Sequence, residues 1–126
     1  MTSEVVRLAT SKLGCPYIWG ASGPDEFDCS GLVSWIWRQI GRGEHRFNTM
    51  DLALRCVRVA DPEPGDLVFY RNRHVMIYAG DGRCVGASGG GSSCRTRQKA
   101  AELGAEVHEK PVGYRKDFTG YGRWVG

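Results

Sequence analysis

The sequence predicts an α+β fold in which early helices pack on one side of a later antiparallel sheet. Apolar residues recur at helical spacing through the first third of the chain. From Pro62 onward, β-branched and aromatic runs alternate with turn residues. Helices followed by strands, rather than helices alternating with strands, favour segregated layers over parallel βαβ units.

Each element has its own signal. Ser3 to Leu13 places Val5, Val6, Ala9 and Leu13 on one helical face, with Ser3 as N-cap and Gly14 and Pro16 as stops. A turn-rich loop, YIWGASGPDEF, follows. The second helix carries Leu32, Val33, Ile36, Trp37 and Ile40 on one stripe and ends at Gly41. A short third helix begins after Asn48 and runs through Asp51, Leu52, Ala53 and Leu54. PEPGD is a turn, LVFY and HVMIYAG are strands, and Gly80-Asp81-Gly82-Arg83 is a hairpin turn returning into CVGAS. Residues 95–104 are polar, with room for a short helix; AEVHEKPV and YGRWV close the sheet.

Composition bounds the function. A chain of 126 residues is near the commonest domain size and is read as a single domain over 1–126. Four Trp, five Tyr and four Phe argue against disorder, and 18 Gly imply many tight turns. A net charge of +3 without a basic block or aromatic-basic ladder gives no footprint for nucleic acid. No apolar stretch approaches the ~20 residues of a membrane span, and MTSEVVRLATSKLG lacks the pattern of a secretory leader. The expectation is a soluble protein, either cytoplasmic or delivered to the cell wall as a phage or prophage product. No protein partner is evident.

The five cysteines, at 15, 29, 56, 84 and 94, contain no CxxC and no Cys/His pair at zinc-finger spacing, so neither metal nor cofactor is expected. Cys29 stands apart, in FDCSGLVSWIW. As residues alone, it reads as a small buried side chain or as a nucleophile with comparable weight. Asp28 is a natural N-cap, which puts Cys29 in the first helical turn, where unpaired amides and the dipole favour a thiolate and lower its pKa. Those amides can also stabilise an oxyanion, and Gly31 leaves the turn open to a substrate. A base is then needed. His45, in GRGEHRF, and His108, in AEVHEK, read as exposed; His74 opens the apolar strand HVMIYAG and fits a base at a cleft, or a structural histidine. Cys29 on a helix start with His74 on a strand is a papain-like pairing.

The stretches PYIWGASGPDEFDCSGLVSW, PGDLVFY and HVMIYAGDGR resemble the NlpC/P60 family of cysteine peptidases over roughly residues 3–90. The resemblance implies a truncated papain-like fold and hydrolysis of stem-peptide bonds in bacterial peptidoglycan or its fragments, in many members between D-γ-glutamate and a diamino acid. It implies Cys29 as nucleophile, His74 as base and Tyr17 lining the cleft. Asp28 and Ser30 match positions that in some members hold the substrate's free amino end, although Asp28 serves equally as a cap. Trp19, in the same loop and a candidate substrate contact, is most simply a packing residue.

Three departures from that pattern stand out. The third residue that orients the histidine in many members, a His, Asn or Gln after the hairpin, corresponds here to Gly86. Only its backbone, Ser88 or water would remain for that task. A two-residue turn puts residues 85, 87 and 89 on the His74 face, whereas one extra residue puts Gly86 and Ser88 there. Met76 replaces a small residue, and Ala21 a second glycine. Competing readings are an amidase of the CHAP type and a non-catalytic wall-binding module; an acyltransferase of the lecithin-retinol type places its histidine first, against the order here.

Overall fold

A computed structural model describes residues 3–126; residues 1 and 2, part of the stretch read for a leader, lie outside it. The first helix, α1 (Glu4–Thr10), is capped by Ser3, whose Oγ accepts from the Val6 amide at 3.4 Å. It buries Val5 and Ala9. The expected continuation to Leu13 fails: residues 11–14 form turns and Leu13 is exposed. Gly14, at φ +89°, instead donates its amide to the Val107 carbonyl at 2.8 Å, a conformation few side chains tolerate.

Helix α2 (Cys29–Gln39) follows the long loop and buries Leu32, Val33, Ile36 and Trp37, the expected stripe. Helix α3 (Thr49–Leu54) starts with a capping box between Asn48 and Asp51. The strands are β1 (Cys56–Val59), β2 (Leu67–Tyr70), β3 (His74–Gly80), β4 (Arg83–Ser88), β5 (Glu106–Pro111) and β6 (Phe118–Trp124). Helix α4 (Arg97–Leu103) precedes β5, and a short 3-10 turn over Val112–Tyr114 links β5 to β6. All pairings are antiparallel, in the order β1-β6-β2-β3-β4-β5. The class is α+β, as expected. β1 was not anticipated, because CVRV is short, lies at the sheet edge and is only partly covered.

Alternation divides the sheet into two apolar faces. Leu67, Val75, Ile77, Val85, Ala87 and Val107 pack with Ile36, Leu32 and Ala9 in the main core. Val68, Tyr70, Met76 and Cys84 join Val112 in a smaller cluster on the other side. The hairpin between β3 and β4 decides which residues share the His74 face. Tyr78 pairs with Cys84, but Gly80 pairs with Arg83, so one β3 residue is bulged. With Tyr78 opposite Cys84, alternation sets Met76 and His74 on one face with Gly86 and Ser88.

Candidate active site

The site forms where the N-terminus of α2 meets the entry to β3. Asp28 caps α2: one carboxylate oxygen accepts the Gly31 amide at 2.7 Å, and the other accepts the Gly20 amide at 2.9 Å. Arg46 Nη2 reaches the two oxygens at 2.7 and 2.6 Å, so the buried carboxylate is paired as well as hydrogen-bonded. Gly31 does not open the helix to substrate. A Cβ there would lie 1.9 Å from the Ala21 carbonyl oxygen, so the missing side chain lets the preceding loop lie directly on the first helical turn.

Cys29 is the first residue of α2 and is 9% exposed. Its thiol donates to the Arg73 carbonyl at 3.6 Å, and the Thr49 hydroxyl donates to the same oxygen at 3.1 Å. Arg73 has φ +55°, a left-handed conformation unusual for a side-chain-bearing residue. Its carbonyl therefore ties α2, α3 and the start of β3 together one residue before His74.

The electrostatics correct one expectation. Burial, with the neighbouring Asp28 charge second, pushes the Cys29 thiol pKa up. The Val75 amide, Thr49 hydroxyl and Ser30 amide favour the thiolate but do not prevail. Helix-end placement alone suggested a lowered value, but removal from water outweighs it. His74, 5% exposed, is pushed down to about 3, first by burial and then by the Arg115 guanidinium. The pair thus rests as neutral thiol and neutral imidazole near neutral pH.

A cavity of about 770 Å³ collects Cys29, His74, Tyr17, Asp28, Ser30 and Ser88 along its walls. Tyr17 is buried, and its phenol pKa is raised first by burial and then by the Cys29 and Asp28 charges. Trp19 is not a packing residue: it is 47% exposed at the cavity edge. Gly86 pairs with His108 across β4 and β5, and a Cβ on it would meet Met76 Sδ at 2.5 Å. Met76 thus fills the space that a side chain at 86 would need.

Sequence reasoning missed the group bonded to His74, the Tyr114 hydroxyl, which lies 2.6 Å from Nε2. It also took His108 as exposed; His108 is half-buried and hydrogen-bonded through Nε2 to Ser88 Oγ. The cross-strand pairing of position 108 with position 86 was the available signal, but it needed the register. His45 is exposed and lies against Phe47. The five thiols are free. Among the described residues, no three or more His, Cys, Asp or Glu side chains converge as metal ligands, and no helix is long and apolar enough to cross a membrane.

Known proteins resemble this chain in sequence and in fold. The NlpC/P60 family model matches residues 14–105. The "Probable endopeptidase Cgl2188" of Corynebacterium glutamicum is 43% identical over 86 residues, covering 66% of this chain and 41% of that protein. The solved structure of the peptidoglycan hydrolase RipB from Mycobacterium tuberculosis is 31% identical, with a TM-score of 0.68, over 94% of this chain and 61% of that one. NlpC1 from Trichomonas vaginalis is 27% identical, with a TM-score of 0.73, over 97% of this chain and 44% of its own. Several of these relatives are thus much longer than the stretch they share with the chain. On the family match across most of its length, the chain belongs to the NlpC/P60 family.

Proposed function

We propose that the chain is a cysteine peptidase acting on peptidoglycan stem peptides, at the bond between D-γ-glutamate and a diamino acid. The observation that carries the reading is the shared cavity of Cys29 and His74, with the thiol held on the carbonyl of the residue just before His74. The C. glutamicum relative's name and RipB's description as a peptidoglycan hydrolase support the substrate class.

The chemistry follows from the neutral resting pair. His74 takes the Cys29 proton as sulfur attacks the scissile carbonyl carbon, and the Cys29 amide, without an intrahelical acceptor at the first helical position, faces the developing oxyanion. Collapse breaks the C–N bond, and the imidazolium returns its proton to the leaving amine. Water, deprotonated by His74, then hydrolyses the thioester, releasing the carboxylic acid and restoring the thiol. Separate ion-pair formation is uphill because burial disfavours both charges, so the proton moves to His74 as sulfur attacks rather than before. Asp28 is already engaged by Arg46 and two amides, which suits a capping role; a substrate amine would have to share the carboxylate with the Arg46 guanidinium. Ser30 and Trp19 complete the substrate-facing wall.

The test is digestion of peptidoglycan of known stem chemistry by the native protein and a Cys29→Ala variant, with fragments identified by mass spectrometry. Fragments from the native protein alone, cut after D-γ-glutamate, are expected. A folded native protein that cuts no wall type would refute the peptidase reading. It would leave a wall-binding module, which the raised Cys29 thiol and the side-chain-free position 86 favour.

A further inference from the structure

The likeness of the sequence to its family leaves His74 without an orienting side chain at position 86, and the fold supplies one from elsewhere. Tyr114 sits on the 3-10 turn after β5, beyond the residues matched by the family model. Its hydroxyl is 2.6 Å from His74 Nε2. The phenol ring is fixed by an edge contact with Tyr70 at 5.7 Å, and Tyr70 in turn donates its hydroxyl to the Val112 carbonyl at 2.6 Å. On the other side, Arg115 is held by Asp117 through bonds of 3.0 and 2.8 Å, which fixes the chain just past Tyr114.

We propose that Tyr114 is the positioning residue for His74, taking the place of the side chain absent at Gly86, with Ser88 and His108 behind it. This rests on the reading of Cys29 and His74 as the reacting pair. In the working arrangement, His74 Nε2–H donates to the Tyr114 oxygen, which leaves Nδ1 as the basic nitrogen. Behind it the Tyr114 ring lies edge-on to His108, with ring centroids 6.4 Å apart, and His108 Nε2 is bonded to Ser88 Oγ. A hydrogen bond donated by Ser88 opposes the rise that burial gives the Tyr114 phenol. His108 stands directly across from Gly86, so the support reaches the vacant position from the next strand. Met76 occupies the room at position 86 itself, so an orienting side chain cannot be placed there without displacing it.

Tyr114→Phe removes the hydroxyl and keeps the ring, so packing on Tyr70 is retained. Two readouts are taken on native protein and variant. The first is nitrogen-15 NMR of the His74 imidazole, which needs no substrate: one Nε2–H tautomer is expected in the native protein and a tautomer mixture in the variant. The second is steady-state cleavage of a soluble stem-peptide fragment, with kcat expected to fall about ten- to a hundredfold and KM to stay unchanged. Ser88→Ala is a second variant, expected to lose less than Tyr114→Phe. Native-like tautomer and kcat in Tyr114→Phe overturn the proposal and leave the peptidase reading standing. If the native protein cleaves nothing, the peptidase reading fails, and the tautomer alone decides Tyr114: a mixture in the variant upholds its orienting role, and an unchanged spectrum overturns it.

Discussion

Replacing Asp28 should destabilise the protein while making Cys29 more acidic, two effects with opposite consequences for the site. The carboxylate accepts from the Gly31 and Gly20 amides at 2.7 and 2.9 Å and from Arg46 at 2.6 and 2.7 Å. Asp28→Ala leaves both amides and the guanidinium without that acceptor. Losing an N-cap costs about 1 kcal/mol, and breaking a buried pair costs about 3–5 kcal/mol. The two overlap in one carboxylate, and the Arg46 side chain is 34% exposed and can regain water. The net expectation is therefore about 3 kcal/mol for Asp28→Ala. Asp28→Asn retains a cap acceptor and should lose roughly half of that. The assay is urea unfolding with a constant m-value, checked by a fall in Tm of roughly 10 °C for the alanine variant. Separately, Asp28 is a negative neighbour that raises the Cys29 pKa, so its loss favours the thiolate. The pH midpoint of Cys29 alkylation should move downward in folded Asp28→Asn. An alanine variant within 1 kcal/mol of native, or a midpoint that rises, would refute this account of the capped pair.

The remaining predictions concern burial. His74 is held to about 3 when folded, below its ordinary value of 6.5, so the unfolded chain binds its proton first on acidification. Its contribution to stability is complete above about pH 6.5 and is lost as pH falls toward 3, by up to about 5 kcal/mol; His74→Gln should flatten that part of the unfolding free-energy profile. Gly31→Ala should cost about 3 kcal/mol or more in denaturant unfolding, because the new Cβ would lie 1.9 Å from a backbone oxygen that cannot swing away. Trp37 is fully buried, yet its indole nitrogen has no hydrogen-bond partner among the described residues. Trp37→Phe should therefore stay within about 1.5 kcal/mol of native by thermal and urea unfolding, since relief of the unpaired N–H offsets the lost volume.

The elements that position Cys29 and His74 were legible because their signals are local. An apolar stripe with a capping Asp writes α2, and a β-branched run with a Gly-Asp-Gly turn writes the hairpin from β3 to β4. What was not legible depended on distant parts of the chain. The sign of the Cys29 shift is set by burial under elements assembled from the rest of the fold, and helix-end position by itself points the wrong way. Which face Gly86 shares was settled by one bulged residue near Ala79, which no composition rule locates. Tyr114 and His108 reach His74 and Ser88 from 40 and 20 residues away, Tyr114 from the stretch between the two closing strands and His108 from a charged strand on which it read as exposed. The helix expected to reach Leu13 stopped early because Gly14 is bound to the strand containing Val107.

The place of β6 has a consequence for how the molecule assembles. It lies between β1 and β2, and β1 has no other neighbour in the sheet. The strands from β2 to β5 form a run of adjacent partners that can pair as they emerge, but β1 must wait for residues 118–124. Each pairing it makes closes a loop of roughly 60–70 residues, from Val59 with Tyr121 to Cys56 with Trp124. Loop-closure entropy therefore predicts that β6 docks after the Cys29–Arg73 contact has its supporting strands. A nascent or refolding chain would carry an assembled cleft beside an unfinished sheet edge. That open edge, rather than the cleft, is where association with other chains would begin.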